Sequence, residues 1–130
     1  MPWPEVFIVF LVTHLTGDFV LQTQWQAENK PGGLGPSVIA RRALVAHLLT
    51  YTLAFVPALV WLWDSLGAGA LAVAALIAGP HLVQDDGRLR DTYIRGVKHM
   101  RPEEHPGIAI AVDQSLHIVA LFAVAIVAGT

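Results

Sequence analysis

Four long apolar stretches, separated by short polar connections, dominate the pattern of the chain. They cover approximately residues 4–22, 38–63, 66–85 and 107–128. Each is close to the ~20 residues that a helix needs to cross the hydrocarbon core of a bilayer. None has the polar outer face that a helix of a soluble bundle presents to water. The pattern therefore predicts an all-α fold, an integral membrane four-helix bundle in which residues 1–130 form a single transmembrane domain.

The positions of the basic residues predict how this bundle is oriented. All 8 lysines and arginines lie in the first and third connections, at Lys30, Arg41, Arg42, Arg88, Arg90, Arg95, Lys98 and Arg101. By the positive-inside rule, both connections then face the cytoplasm and both termini face outward (N-out, C-out). We therefore expect a multi-pass protein of the inner (cytoplasmic) membrane. Within the two basic connections, residues 22–30 and 86–101 are predicted to form short interfacial helices.

Composition narrows the classes of function that are possible. The chain is 55% hydrophobic and only 14% charged, with a formal net charge of -2. A nucleic-acid partner is not expected, because proteins that bind nucleic acids need clustered excess positive charge. The chain has no cysteine, which excludes disulfides, cysteine-based zinc sites and thiol catalysis.

The candidate chemistry lies in histidines and aspartates placed inside the apolar stretches. Three pairs are spaced i to i+4, which puts both side chains of a pair on one helical face. These pairs are His14 and Asp18, His81 and Asp85, and Asp113 and His117. The order reverses in the last pair, where the chain crosses the membrane in the opposite direction, so each histidine lies deeper than its aspartate. His47 lies at about the same depth, and the pattern predicts that all seven side chains meet in the cytoplasmic half of the bilayer.

This cluster of acids and imidazoles favours a metal centre. An aspartate near the middle of a spanning helix costs about 2.5–3.5 kcal/mol on insertion, so three of them need a compensating partner. Imidazole and carboxylate ligands without sulfur suit zinc, iron or manganese. Seven candidate ligands exceed one tetrahedral site, so we expect two divalent ions that share a carboxylate. Gln22, Trp25, Tyr51, Gln84 and Gln114 are expected to orient the ligands.

A metal centre near the cytoplasmic surface, beside basic residues, favours a hydrolase that acts on a lipid or lipid-linked phosphate. Asp86 is the candidate general base, and Arg88 is the candidate ligand of the anionic group. Two alternatives stay open: a di-iron membrane oxidoreductase, and a non-enzymatic ion or proton carrier or metal-stapled structural protein. The expected partners are membrane lipid, a lipid-linked anionic substrate and a second copy of the chain, because the third stretch is rich in small residues.

The same polar residues carry a resemblance to a known family. The positions are His14, Asp18-Phe19, Gln22, Trp25, Glu28, Lys30, His47, His81, Asp85, Arg88, Asp113-Gln114 and His117. Over nearly the whole chain they resemble a family of small bacterial and phage membrane proteins of unknown function. The resemblance implies a four-helix membrane protein and brings no established activity. The pattern is also similar in kind to predicted metal-dependent membrane hydrolases associated with the SOS response.

Overall fold

Helices occupy all four apolar stretches of the sequence. The computed structural model describes residues 1–129, and every regular element in that range is helical, which confirms the predicted all-α class. The elements in chain order are α1 (Trp3–Leu15), which continues as a π-helical turn (Thr16–Val20), α2 (Gln24–Asn29), α3 (Val38–Leu66), α4 (Gly69–Asp85), α5 (Arg88–Gly96), a 3-10 turn (Pro102–Glu104) and α6 (Pro106–Ala128).

Three helical segments are long and apolar enough to span a membrane. They are Trp3–Val20, Val38–Leu66 and Pro106–Ala128. The apolar helix α4 is shorter, at 17 residues. It begins only at Gly69, because α3 runs to Leu66 and Gly67, with a φ of +52°, belongs to the turn between them. At 1.5 Å per residue α4 is about 25 Å long, somewhat less than the ~30 Å of a hydrocarbon core. The composition and lengths indicate a membrane protein.

The four apolar helices α1, α3, α4 and α6 pack against one another. At the end of the molecule that holds both chain termini, they bury an apolar core that includes Val6, Phe10, Phe55, Leu62, Val73, Ile77, Leu121 and Val124. Their outer faces are apolar as well, and Leu53, Val60 and Val119 are each more than 60% exposed. A helix that is apolar on all sides suits surroundings of lipid rather than water.

Two short helices lie in the connections where the sequence predicted them. The predicted helix over residues 22–30 exists as α2, which is separate from α1 because Thr23 is extended and caps α2 together with Gln26. The second, α5, lies within the predicted 86–101 range and buries Ile94 beneath a charged outer surface. The connection after α2 is tied to the end of α4, since the Gly32 amide donates to the backbone carbonyl of Asp86 over 2.8 Å.

Candidate metal centre

A layer of histidines covers one end of the apolar core. In each of the four apolar helices the histidine comes four residues after, or before, a buried core residue, so it lies one turn beyond the core on the same face. These histidines are His14, His47, His81 and His117, and each is at most 3% exposed. The sequence pattern that predicted a common depth for them is thus reproduced by the packing of the helices.

Asp18 is carried by the π-helical turn at the end of α1. Such turns are rare, and they occur frequently at functional sites because the extra residue redirects a side chain. Gly17 makes room for this turn, because a Cβ at that position would lie 2.6 Å from Cδ2 of Tyr51. The turn therefore brings the Asp18 carboxylate against α3 and α4, where it accepts a 3.0 Å hydrogen bond from Nε2 of His47.

Two carboxylates and three imidazoles converge at this level and form what we call the His/Asp centre. Its members are Asp18, His47, His81, Asp85 and His117, and none is more than 5% exposed. Nε2 of His47 and Nε2 of His81 lie 2.9 and 2.8 Å from Oδ2 of Asp85. The same two nitrogens are 3.1 Å apart. Oδ2 of Asp85 nevertheless makes no hydrogen bond of acceptable geometry with any group in residues 1–129.

The orientation of His117 shows why a cation fits here. Its Nδ1 donates a 2.7 Å hydrogen bond to the backbone carbonyl of Asp113, which can only accept. In a neutral ring Nε2 then carries the lone pair, yet it faces Oδ1 of Asp85 at 3.1 Å. Two acceptors at this distance need a proton or a metal ion between them. A histidine that binds a metal commonly donates a hydrogen bond from its other ring N–H to a carbonyl in this way.

The spacing of the donor atoms also suits a metal. Several nitrogen–oxygen and nitrogen–nitrogen distances inside the centre lie between 2.8 and 3.7 Å. Ligands bound at 2.0–2.2 Å in a tetrahedron lie about 3.3 Å from one another, which falls within this range. Four residues can each offer one atom such that all four atoms lie within 4.8 Å of one another: Asp18, His81, Asp85 and His117.

His14 lies beside the centre and supports it through Gln114. The Gln114 amide donates to Oδ2 of Asp18 over 3.2 Å, which turns its oxygen toward Nε2 of His14 at 2.8 Å. That nitrogen is therefore a donor, and Nδ1 accepts from the Tyr51 hydroxyl at 2.9 Å. Nε2 of His14 is 3.7 Å from Asp18. In this arrangement His14 contacts Gln114 and Tyr51 and lies outside the group of four mutually close ligand atoms, and its predicted role as a metal ligand stays a prediction.

The structure places the other predicted site residues around the centre. The Asp113 side chain is 16% exposed, and its Oδ1 faces Nη1 of Arg90 at 3.8 Å, so its carboxylate lies at the rim while its backbone carbonyl orients His117. Asp86 and Arg88 bond to each other, and Oδ1 of Asp86 also accepts from the Leu34 amide over 2.8 Å. These hydrogen bonds tie the connection after α2 to the end of α4. The catalytic roles of Asp86 and Arg88 stay predictions.

Lys30 also reaches the centre, although from the sequence it had a place only in the family pattern and no role at the site. Its Nζ lies 3.1 Å from Oδ2 of Asp85, and its side chain is only 13% exposed. The sequence places Lys30 in a polar connection, where a lysine is ordinarily solvated. The available signal was its position directly before the Pro31-Gly32-Gly33 breaker, where the chain turns back toward the bundle.

A narrow cleft between α4 and α6 approaches the centre from the side. It is lined by His81, Gln84, His117 and neighbouring apolar residues, and its volume is about 10 Å³. That is roughly the space of one water molecule. Gln84 borders this cleft and donates to the Leu116 carbonyl over 3.1 Å, so it joins α4 to α6 there.

Comparison with known proteins gives a family and no activity. No curated protein and no solved structure is significantly similar to the chain. A family model described as "Protein of unknown function (DUF3307)" matches residues 6–130, nearly the entire sequence. This agrees with the resemblance to an uncharacterised family, whose bacterial and phage origin stays a prediction. The chain belongs to the DUF3307 family of proteins of unknown function.

Proposed function

We propose that this chain is an integral membrane protein that binds at least one divalent metal ion in the His/Asp centre. The observation that carries the proposal is the convergence of three imidazole Nε2 atoms on two buried carboxylates. The minimal set of ligands consists of Asp18, His81, Asp85 and His117. His47 is a further ligand. Zinc, iron and manganese suit these nitrogen and oxygen ligands. We further propose that a second divalent ion binds beside the first and shares a carboxylate ligand with it.

The proposal includes a four-helix transmembrane bundle in the inner membrane, with both termini outside. The basic residues support it, because all of them lie at the His/Asp end of the helices, either in the two connections there or, for Arg41 and Arg42, at the start of α3. The exposed apolar faces of the four helices supply the surface that such a bundle needs against lipid. The His/Asp centre then lies in the cytoplasmic half of the bilayer.

Metal analysis of the purified protein tests the binding proposal. The wild type is expected to retain zinc, iron or manganese after extraction in detergent. Asp85→Asn removes the carboxylate that faces three imidazoles, and bound metal should fall by at least about tenfold. Asp64→Asn is the matched control, because Asp64 is an exposed aspartate outside the centre. Equal metal content in both variants, or no metal in the wild type, would contradict the proposal.

For the activity, we propose hydrolysis of a phosphate ester of a lipid or lipid-linked substrate. A divalent ion held here lowers the pKa of a bound water and polarises a phosphoryl oxygen. Lys30 brings positive charge to the centre, and Arg90 lies at its rim, both as an anionic substrate requires. Release of inorganic phosphate from phosphatidic acid in mixed micelles, abolished by chelator and by Asp85→Asn, is the expected result.

The burial of the centre favours a second candidate, a metal that holds the bundle together. The groups of the His/Asp centre are almost inaccessible, and the cleft beside them admits about one water. Structural sites are closed in this manner, whereas catalytic sites keep a position open. If chelation lowers the thermal midpoint of the protein and no phosphate ester is hydrolysed, this structural role replaces the hydrolase.

A further inference from the structure

Lys30 makes an unusual contact for a residue in a polar connection. Among residues 1–129 it is the one lysine or arginine with an ion pair to a carboxylate of the His/Asp centre, at 3.1 Å from Oδ2 of Asp85. The same oxygen faces two imidazole nitrogens at 2.8 and 2.9 Å. The ammonium group therefore lies on the atom that we propose as a metal ligand.

The backbone of Lys30 is fixed, whereas its side chain is long and can move. The Lys30 amide donates to the Gln26 carbonyl over 3.0 Å, and the Lys30 carbonyl accepts from the Gly33 amide over 3.0 Å. Two further bonds, both 2.8 Å, join Gly32 and Leu34 to Asp86 at the end of α4. Lys30 thus enters the centre from a short segment bonded on both sides, and its four-carbon arm can shift Nζ without disturbing that segment.

Charge decides what Lys30 does when a metal binds. Without an ion, the two carboxylates of Asp18 and Asp85 exceed the single positive charge of Lys30. One divalent ion reverses the balance and leaves a surplus of one positive charge, with the ion and the ammonium group competing for Oδ2 of Asp85. Repulsion between two cations inside a low-dielectric bundle is strong. An anion with an oxygen between the metal ion and the ammonium group removes this repulsion.

We propose that Lys30 binds the phosphate group of a phosphate monoester, or free phosphate, against the metal ion in the His/Asp centre, so that metal and phosphate bind cooperatively. This inference rests on the proposed metal site. A phosphate has several oxygens, which can contact the ion and the ammonium group at the same time, and lysine binds phosphate as a point charge. Lys30 then has two positions, on Asp85 before loading and on the anion afterwards. Its movement away from Asp85 has to open the space for the phosphate, because the cleft between α4 and α6 holds only about one water.

The test measures Zn²⁺ and Mn²⁺ affinity by chelator competition, with and without inorganic phosphate at constant ionic strength. In the wild type, phosphate is expected to tighten metal binding by about tenfold, within the usual range for coupled sites. In Lys30→Met the phosphate effect should disappear, while affinity for the metal alone stays equal or rises. Lys98→Met is the matched control, because Lys98 is an exposed lysine on another segment, and it should keep the full effect.

Lys30→Arg provides a further check, since it retains the charge and should retain much of the coupling. Persistence of the tenfold effect in Lys30→Met would overturn the inference and leave the metal site standing. Absence of any effect in the wild type, from inorganic phosphate and from phosphatidic acid alike, would overturn it without a variant. Absence of metal binding in the wild type would overturn the proposed function as well.

A second set of measurements identifies the source of the phosphate. The wild type is placed in nanodiscs of phosphatidylcholine with or without phosphatidic acid. Tighter metal binding with phosphatidic acid and none with inorganic phosphate assigns the site to a lipid headgroup, and the reverse assigns it to free phosphate. Either result supports the inference, whereas no effect from both contradicts it.

Discussion

Gln114 connects the His/Asp centre to the residues that support it. Its amide donates to Oδ2 of Asp18 and accepts from His14, which in turn bonds to the Tyr51 hydroxyl. Asp18 is thereby held with one oxygen occupied and the other directed at His47. Mutation of a group that orients a ligand in this way typically lowers metal affinity by about 10–100-fold.

Gln114→Met therefore tests the support of the centre without removing a proposed ligand. The variant keeps the size of the side chain and loses the hydrogen bond to Asp18, so metal affinity should fall by about 10–100-fold. Gln24→Met is the matched control, because Gln24 is exposed and bonds only to Glu28 among the described hydrogen bonds. Metal affinities measured by chelator competition check the prediction. An affinity of Gln114→Met equal to that of the wild type would show that Gln114 does not support the metal ligands.

Gly17 is the residue that permits the close approach of α1 and α3. In Gly17→Ala the new Cβ would meet Cδ2 of Tyr51 at 2.6 Å. The Tyr51 ring cannot retreat, because it stacks on His81 with ring centroids 3.5 Å apart. We expect a loss of about 1–3 kcal/mol in the free energy of unfolding.

Thermal or denaturant unfolding in detergent measures this loss. Gly107→Ala is the control, because it lies in α6 with no atom within 4 Å of its added Cβ. That variant should be neutral or slightly stabilising, by up to ~1 kcal/mol, since alanine favours a helix. Similar stability of the two variants would mean that the π-helical turn yields easily and does not hold Tyr51 in place.

At the scale of elements, Asp86 joins the connection after α2 to the end of α4. Burial acts to raise the pKa of Asp86, but the hydrogen bond and charge of Arg88, together with the Leu34 amide, outweigh it and hold the pKa below its ordinary value. A carboxyl whose pKa is lowered on folding stabilises the protein fully above its unfolded pKa of about 3.9. The contribution is lost as the pH falls through the lowered value.

Asp86→Ala should therefore loosen this connection at neutral pH. The Leu34 amide loses its acceptor on the Asp86 side chain, at a local cost of about 1–3 kcal/mol. The nearby hydrogen bond from the Gly32 amide to the backbone carbonyl of residue 86 should weaken with it, so hydrogen exchange of the amides of residues 32–34 should accelerate. Asp91→Ala is the control, because Asp91 bonds to the neighbouring Arg90. If exchange at residues 32–34 is the same in both variants, the connection is held by other contacts.

The sequence predicted the helices well because their apolar stretches are long and nearly free of charge. The i to i+4 spacing also placed the members of each pair on a common face, which brought His81 and Asp85 together as expected. Periodicity carries no information about a π-helical turn or about the break at Thr23, because both depend on local hydrogen bonds. The exact bounds of the connections were accordingly not predicted.

Side-chain direction limited the prediction of the site. Asp113 and His117 share a face, but Nδ1 of His117 bonds the Asp113 carbonyl, and the carboxylate points toward Arg90. Lys30 reaches Asp85 through a chain reversal that joins residues far apart in sequence. Spacing along one helix contains neither of these facts, because the first depends on which atoms of the pair face each other and the second on a contact between elements.

At the scale of the whole molecule, polarity is distributed in layers. An apolar core fills the end with the chain termini, the histidine layer follows it, and the basic connections lie beyond. The outer faces remain apolar along the helices. All lysines and arginines therefore lie at one end of the molecule and none at the other, which is the asymmetry that the positive-inside rule translates into an orientation.

Single-cysteine labelling tests that orientation, and the chain is suited to it because it has no natural cysteine. Asp64 lies in the last turn of α3, next to the α3–α4 connection, and Lys98 lies between α5 and α6; both are exposed, and each is replaced by cysteine in turn. If both termini face outward, a membrane-impermeant maleimide should label Asp64→Cys in intact spheroplasts of a bacterial host and Lys98→Cys only after lysis. Labelling of lysed membranes controls for reactivity, and the cysteine-free wild type gives the background. The reverse pattern would place the His/Asp centre in the outer half of the bilayer, away from any cytoplasmic phosphate substrate.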